Sequence, residues 1–257
     1  MPKIGLQLWS VRDAIEEDFE GTVRRVAAMG YAGVETAFFP EHVTLRQAGQ
    51  LFQSLGLKVA GIHCEIPDSD EEKETWLEMA EAYDCDRMVW HGWPRDNRYH
   101  TVADTIRWIE IYGEANVFAR AHGLRFGLHN HWWEFEDHAG HTPFYYMLEH
   151  LPEDVFFEID TYWAKTGGHD PATVVADFGE RALLLHIKDG PAPAGQVINE
   201  QVVLGQGSLD IPGIVQAAGD ASEWLIVEFD ACATDVMHAV ADSYRYLSEK
   251  GLGTGAK

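Results

Sequence analysis

The chain has 257 residues, nearly half of them apolar, with 19 basic against 42 acidic side chains and a net charge of −23. This length suits one large buried core of the (β/α)8 size, and no apolar run approaches the eighteen or so residues of a membrane span. The acidic surface repels a phosphate backbone, so nucleic acid is excluded as a partner, and a neutral sugar is favoured over an anionic one. For most of the carboxylates, solubility is explanation enough. Cys64, Cys85 and Cys232 are scattered, form no CxxC and predict neither a disulfide scaffold nor a zinc ribbon. KIGLQLWS enters a strand pattern at once, with no basic or apolar leader, so a cytoplasmic protein is expected.

Short apolar runs alternate with amphipathic stretches along the whole chain. The predicted order begins with a strand at 4–9 and a helix at 18–29, where Phe19, Val23, Val26 and Ala27 share one face ahead of Gly30. Strands at 33–38, 57–63 and 86–91 follow, separated by helices at 44–55 and 70–83. A helix at 101–122, capped by Thr101, leads to a strand at 124–131 and a helix at 142–150. A strand at 155–160 precedes a helix at 171–178, with Asp170 as N-cap and Pro171 at its first position. The seventh strand, 182–187, is followed by the longest irregular stretch, about 189–210, which carries GQGSLD and has the length of a substrate-covering loop. A helix at 211–219, a strand at 224–229 and a helix at 234–249 complete the series, and the tail after Tyr246 is expected to fray.

Eight strands with intervening helices predict one α/β domain over residues 1–257, a single (β/α)8 TIM barrel. A doubly wound open sheet is the runner-up, because alternation alone does not distinguish a closed sheet from an open one. The oligomeric state is open between a monomer and a homo-oligomer.

Four strand-like segments in the second half end in residues able to bind a divalent metal. They are GLRFGLHNH (His129, His131), VFFEID (Asp160), ALLLHIKD (His186) and WLIVEFD (Glu228). Roughly 22 to 42 residues separate them, room for a helix and two loops. In a parallel barrel all carboxyl ends open on one face, so these positions converge. Each alone is a plain hydrogen-bonded polar residue; four on consecutive strands predict a metal site. The fourth ligand is one of His129, His131 or Glu134, with His129 ranked first from its place at the strand end. Mixed nitrogen and oxygen ligands suit Mn²⁺, Co²⁺, Zn²⁺ or Fe²⁺ rather than Mg²⁺ or Ca²⁺.

Other polar strand ends are candidates for binding sugar hydroxyls: Gln7, His63, Glu65, His91 and Lys188. Lys188 has a plainer alternative, an ion pair with Asp189, and Glu35 an internal hydrogen bond. Trp9, Trp93, Trp132 and Trp163 offer faces to a sugar ring, or simply pack the core. Gly205 and Gly207 lack the Gly-Lys-Ser/Thr ending of a phosphate loop and predict a tight turn.

GLQLWSVRD, GYAGVE, HNHWWEFE, DTYWAKTGGHDP, LHIKDG, GQGSLD and VEFD together cover nearly the whole chain. In them it resembles the xylose-isomerase-like TIM barrels of the sugar phosphate isomerase/epimerase superfamily. It looks closest to inosose dehydratase-like members and those acting on 3-keto-glycosides. The resemblance implies that Asp160, His186 and Glu228 are metal ligands closing strands six to eight. Where many relatives place a fifth-strand glutamate this chain has His129, and Glu134 is the carboxylate able to replace it from the loop.

Such a site implies a carbohydrate-metabolism enzyme that polarises the carbonyl of a neutral keto-sugar or cyclitol and removes the neighbouring proton to give an enediolate. Glu228, His131 and Glu134 are the candidate catalytic groups. Returning the proton gives epimerase or isomerase activity, whereas losing a β-substituent gives a lyase or dehydratase. A nuclease related to the endonuclease IV-like enzymes needs more ligands and a basic surface. A non-catalytic sugar-binding barrel is the alternative of another class.

Overall fold

The computed structural model describes residues 1–37, 40–195 and 200–256. Eight parallel strands close on themselves: β1 (Lys3–Gln7), β2 (Gly33–Thr36), β3 (Lys58–Cys64), β4 (Arg87–Trp90), β5 (Arg125–His129), β6 (Phe156–Asp160), β7 (Ala182–Ile187) and β8 (Trp224–Val227). Closure is made by β8 against β1, with Ile4 opposite Leu225 and Gly5 opposite Ile226. That pairing removes both sheet edges and rules out the doubly wound alternative.

Ten α-helices among the described residues form the outer layer. They are α1 (Arg12–Glu17), α2 (Phe19–Met29), α3 (Leu45–Ser54), α4 (Asp70–Tyr83), α5 (Val102–Ala121), α6 (Pro143–His150), α7 (Thr161–Thr166), α8 (Pro171–Phe178), α9 (Ile211–Ala218) and α10 (Val236–Glu249). Their starts follow local chemistry. Thr44 and Gln47 make a reciprocal capping box for α3, and Thr101 and Asp170 accept the Asp104 and Thr173 N–H groups to cap α5 and α8. The two one-and-a-half-turn helices α1 and α7 were not predicted, since six residues show too little periodicity. None of the described helices is long and apolar enough to cross a membrane.

Strand alternation divides the side chains. Outward-facing residues such as Phe157, Ile159, Leu185, Leu225 and Val227 join the large core under the helices, all essentially fully buried. Inside the barrel, a small apolar group that includes Val89, Phe156, Leu184, Trp224 and Ile226 fills the lower part. Glycines make room for it. A Cβ on Gly127 would collide with the Phe156 ring, and one on Gly61 would lie 2.7 Å from Glu35 Oε1. Above this plug the inward positions turn polar, and there the site begins.

Two local expectations are corrected. β1, β4, β5 and β8 stop short of their predicted ends, so Trp9, His91, His131 and Glu228 stand just beyond the strands. The predicted end of the second strand, residue 38, lies outside the described residues. The tail does not fray. α10 runs to Glu249, the Thr254 N–H donates to Pro2 O, Ile4 N–H donates to Thr254 O, and Ala256 N–H donates to Gly30 O. Backbone hydrogen bonds on both sides of the β1 entry hold it in place, a long-range pairing that composition does not reveal.

Candidate active site

The carboxyl ends of the strands surround a mouth cavity of about 660 Å³. His63, His91, His129, His131, Glu228 and Asp230 contribute its polar wall, and Trp9, Trp93, Trp132 and Trp163 its aromatic wall. Trp93 and Trp9 are 55% and 39% exposed, so rings at the rim remain free to meet a ligand.

Beneath the cavity lies a buried polar layer. Asp160 is set by its neighbours: Asn130 donates to its carbonyl and accepts its N–H, tying the end of β5 to the end of β6. Asp160 Oδ1 accepts the Trp163 N–H as the N-cap of α7, which leaves Oδ2 turned inward. Lys188 Nζ lies 2.8 Å from that oxygen, 2.7 Å from Glu228 Oε2 and 2.6 Å from Asp230 Oδ2. Asp230 is itself held by Gln201, whose amide donates to its carboxylate and accepts its N–H. His186 is enclosed by carboxylates: Nδ1 is 2.7 Å from Glu228 Oε2 and 3.9 Å from Asp160 Oδ2, and Nε2 is 2.5 Å from Glu35 Oε2.

The electrostatics follow from burial and pairing. Burial pushes the Glu35 carboxyl up to about 7, reinforced by Glu158 and opposed by His63 and His186. Burial raises Asp160 to about 6 despite the opposing Lys188. For His186, burial is outweighed by Glu158, Glu228 and Glu35, which hold it well above the ordinary imidazole range. For Glu228, burial is likewise outweighed, by Lys188 and His186, and its carboxyl stays well below the usual range. His129 and His131 are driven well below theirs by burial, with nearby cationic groups adding to it.

The structure brings Asp160, His186 and Glu228 together, with one donor atom of each within 4.8 Å of the others. His129 falls in a different group, with His63, Glu158 and His186. His131 leaves the strand but meets His129 edge-on at 5.0 Å between ring centroids and stacks on Trp133 at 4.1 Å. Glu134 is not at the mouth. Its Oε2 accepts the His131 N–H behind the loop, and burial pushes its carboxyl up to about 8.

Among the expected sugar-binding residues, His63, His91 and Trp163 line the cavity. Gln7 and Lys188 lie beneath it, fully buried. Gln7 donates to Glu35 and accepts the Trp9 N–H, and Lys188 serves the acidic group. Nor does Lys188 pair with Asp189. The Asp189 carboxylate accepts the N–H groups of Gly190, Gly205, Gly207 and Leu209, so the GQGSLD turn is a backbone nest around an internal anion. Gly205 takes φ +85° there, as a tight turn requires.

Sequence reasoning missed Glu158. It stands two residues before Asp160 on the same face of β6, so strand alternation alone was enough to find it.

The donor set is one a divalent cation fits. Asp160, His186 and Glu228 point at one another, and the ammonium of Lys188 marks a position of cation affinity between two of them.

Among solved structures, the chain is similar to a sugar phosphate isomerase/epimerase from Parabacteroides distasonis at 22% identity and TM-score 0.79, covering 98% of this chain and 96% of that one. A probable 3-DHS dehydratase, AsbF, from Bacillus anthracis matches at 13% identity and TM-score 0.75, over 96% and 98% of the two chains. The IolI protein with a bound zinc atom matches at 13% identity and TM-score 0.73, again over 96% and 98%. These likenesses establish the fold. No curated protein matches the sequence. The family profile described as xylose isomerase-like TIM barrel matches residues 23–249, nearly the whole barrel, and the chain belongs to that family.

Proposed function

We propose that this barrel is a metal-dependent carbohydrate isomerase or epimerase acting on a neutral keto-sugar or cyclitol. The observation that carries the reading is the convergence of Asp160, His186 and Glu228 beneath an aromatic-walled cavity at the carboxyl end of the strands. Those three would hold the ion. Of His129, His131 and Glu134, from which the sequence draws a fourth ligand, the first-ranked His129 groups with His63, Glu158 and His186, and substrate or water would take the open position. When bound, the ion would draw charge from the substrate carbonyl and acidify the neighbouring C–H.

The chain's own residues supply the rest. His131 and Glu228 both face the cavity and are the groups assigned to move the proton. Glu134 acts through His131, fixing the loop on which it sits. The tryptophans exclude water and present faces to the ring.

Neutral substrates are favoured by the wall charges. Glu65, Glu72, Glu228 and Asp230 line the cavity with one guanidinium, Arg12, which is already engaged by the Trp9 ring at 4.5 Å and by the carbonyls of Trp9 and Asp230. Elimination begins with the same proton loss and would be told apart by its products.

The test is incubation of metal-loaded protein with neutral keto-sugars, cyclitol ketones and their phosphorylated counterparts in deuterium oxide. Deuterium should enter next to the carbonyl of a neutral compound. Exchange confined to phosphorylated compounds would overturn the substrate class, and binding without exchange in any compound would favour a non-catalytic barrel.

A further inference from the structure

Three imidazoles from β3, β5 and β7 surround one carboxylate oxygen of β6, on the other ring edge of His186 from Glu228. Glu158 Oε2 lies 2.7 Å from His63 Nε2, 3.0 Å from His129 Nδ1 and 3.2 Å from His186 Nε2. The four donor groups lie within 4.8 Å of one another. Glu158 and His186 are fully buried, and the His63 and His129 side chains are 10% and 4% exposed. Glu158 Oε1 has no hydrogen-bond partner among the described residues, and His129 Nδ1, although 3.0 Å from Oε2, makes no contact of hydrogen-bond geometry, an expensive condition for buried polar atoms unless something binds them.

The formal charges point the same way. Glu35, Glu158, Asp160 and Glu228 are enclosed together, and Lys188 brings a single ammonium, already placed between Asp160 and Glu228. Among the described residues no lysine or arginine pairs with Glu158, and it shares His186 with Glu35 and Glu228 as its positive partner. Buried carboxylates demand one, either as protons or as an ion.

We propose that His63, His129, Glu158 and His186 Nε2 form a second, nitrogen-rich site for a divalent cation, separate from Asp160, His186 Nδ1 and Glu228. Three imidazoles and one carboxylate suit Zn²⁺ or Co²⁺ and disfavour Mg²⁺ and Ca²⁺. His186 joins the two groups, one ring nitrogen to each, so as a neutral ring it serves one ion at a time and would hold both together only after losing its second ring proton. His63 and His129 also line the mouth cavity, so an ion enters from solvent without opening the barrel. The site stands on its own geometry, whichever reaction the barrel performs.

The test is one equivalent of Zn²⁺ on the metal-stripped full chain, with X-ray absorption counting imidazoles per zinc and chelator competition giving the affinity. The expected count is three. His63→Ala should weaken binding of that zinc by at least about 100-fold, whereas Asp160→Asn should change it by less than about threefold. A count below three, or affinity that follows Asp160→Asn and not His63→Ala, overturns the site and leaves the proposed reaction standing. Failure to bind zinc at micromolar concentration also overturns it, while deuterium exchange reports on the reaction separately. Should His63→Ala not fold, the imidazole count in the unaltered protein decides the matter.

Discussion

The ammonium of Lys188 lies 2.8 Å from Asp160 Oδ2, both groups fully buried beneath the mouth of the barrel. Nζ is equally close to Glu228, so one lysine neutralises two of the three expected metal ligands. Lys188→Met keeps much of the side-chain volume and removes the charge. Removing one partner of a buried ion pair costs about 3–5 kcal/mol, and the metal-free variant should lose that much in urea unfolding. A divalent ion should restore part of it, so the gain in Tm on adding Mn²⁺ should be larger in the variant than in the parent. An equal loss with and without the ion would show that Lys188 and the ion do not share a place.

Glu134 gives a pH signature. Its folded carboxyl is pushed up to about 8 by burial, from an ordinary value of 4.5. The folded state then holds the proton more tightly than the unfolded one. Its contribution to stability is complete below about 4.5 and is lost as pH rises through about 8. In chelator, Tm should therefore fall between about pH 5 and pH 8, and Glu134→Gln should make that fall shallower. Parallel profiles for parent and variant would show that this carboxyl does not titrate there.

The described part of the stretch after β7 depends on Asp189, which gathers four of its backbone N–H groups. Asp189→Asn places an amide donor among donors and weakens charge-assisted bonds, at a cost of about 2–3 kcal/mol. Limited proteolysis should cut the variant between residues 190 and 209 well before the parent, with helix and strand content unchanged by circular dichroism. Equal resistance in both proteins would remove Asp189 as the loop's anchor.

The barrel was legible because burial writes a period into sequence. β7 reads as an apolar run interrupted only by His186 near its end, β6 as one broken by Glu158 and closed by Asp160, and the predicted 182–187 and 171–178 coincide with β7 and α8. The convergence of Asp160, His186 and Glu228 followed from topology alone. What sequence could not supply was depth. Gln7 and Lys188 sit at strand ends like His63 and His91, but their side chains turn under the site and spend their hydrogen bonds on Glu35 and Asp160. Glu134 reads as a loop carboxylate facing the mouth, yet the short turn over Trp133–Phe135 folds it back onto the His131 N–H. The tail was misread because glycines suggest fraying, whereas Gly253 and Gly255 lie against Ile4 and Tyr244 with no space for a side chain.

The most direct test of metal-assisted proton removal is deuterium wash-in by the unaltered protein and by Glu228→Gln, each brought to the same measured metal content. The substrate is the neutral keto-compound that exchanges fastest. The amide keeps the shape of the side chain but is a poor ligand and no base, so exchange should drop by about two to four orders of magnitude while the fold is retained. Undiminished wash-in by Glu228→Gln at full metal occupancy would contradict the account, because the carboxylate that joins His186, Lys188 and the cavity would then have no part in moving the proton.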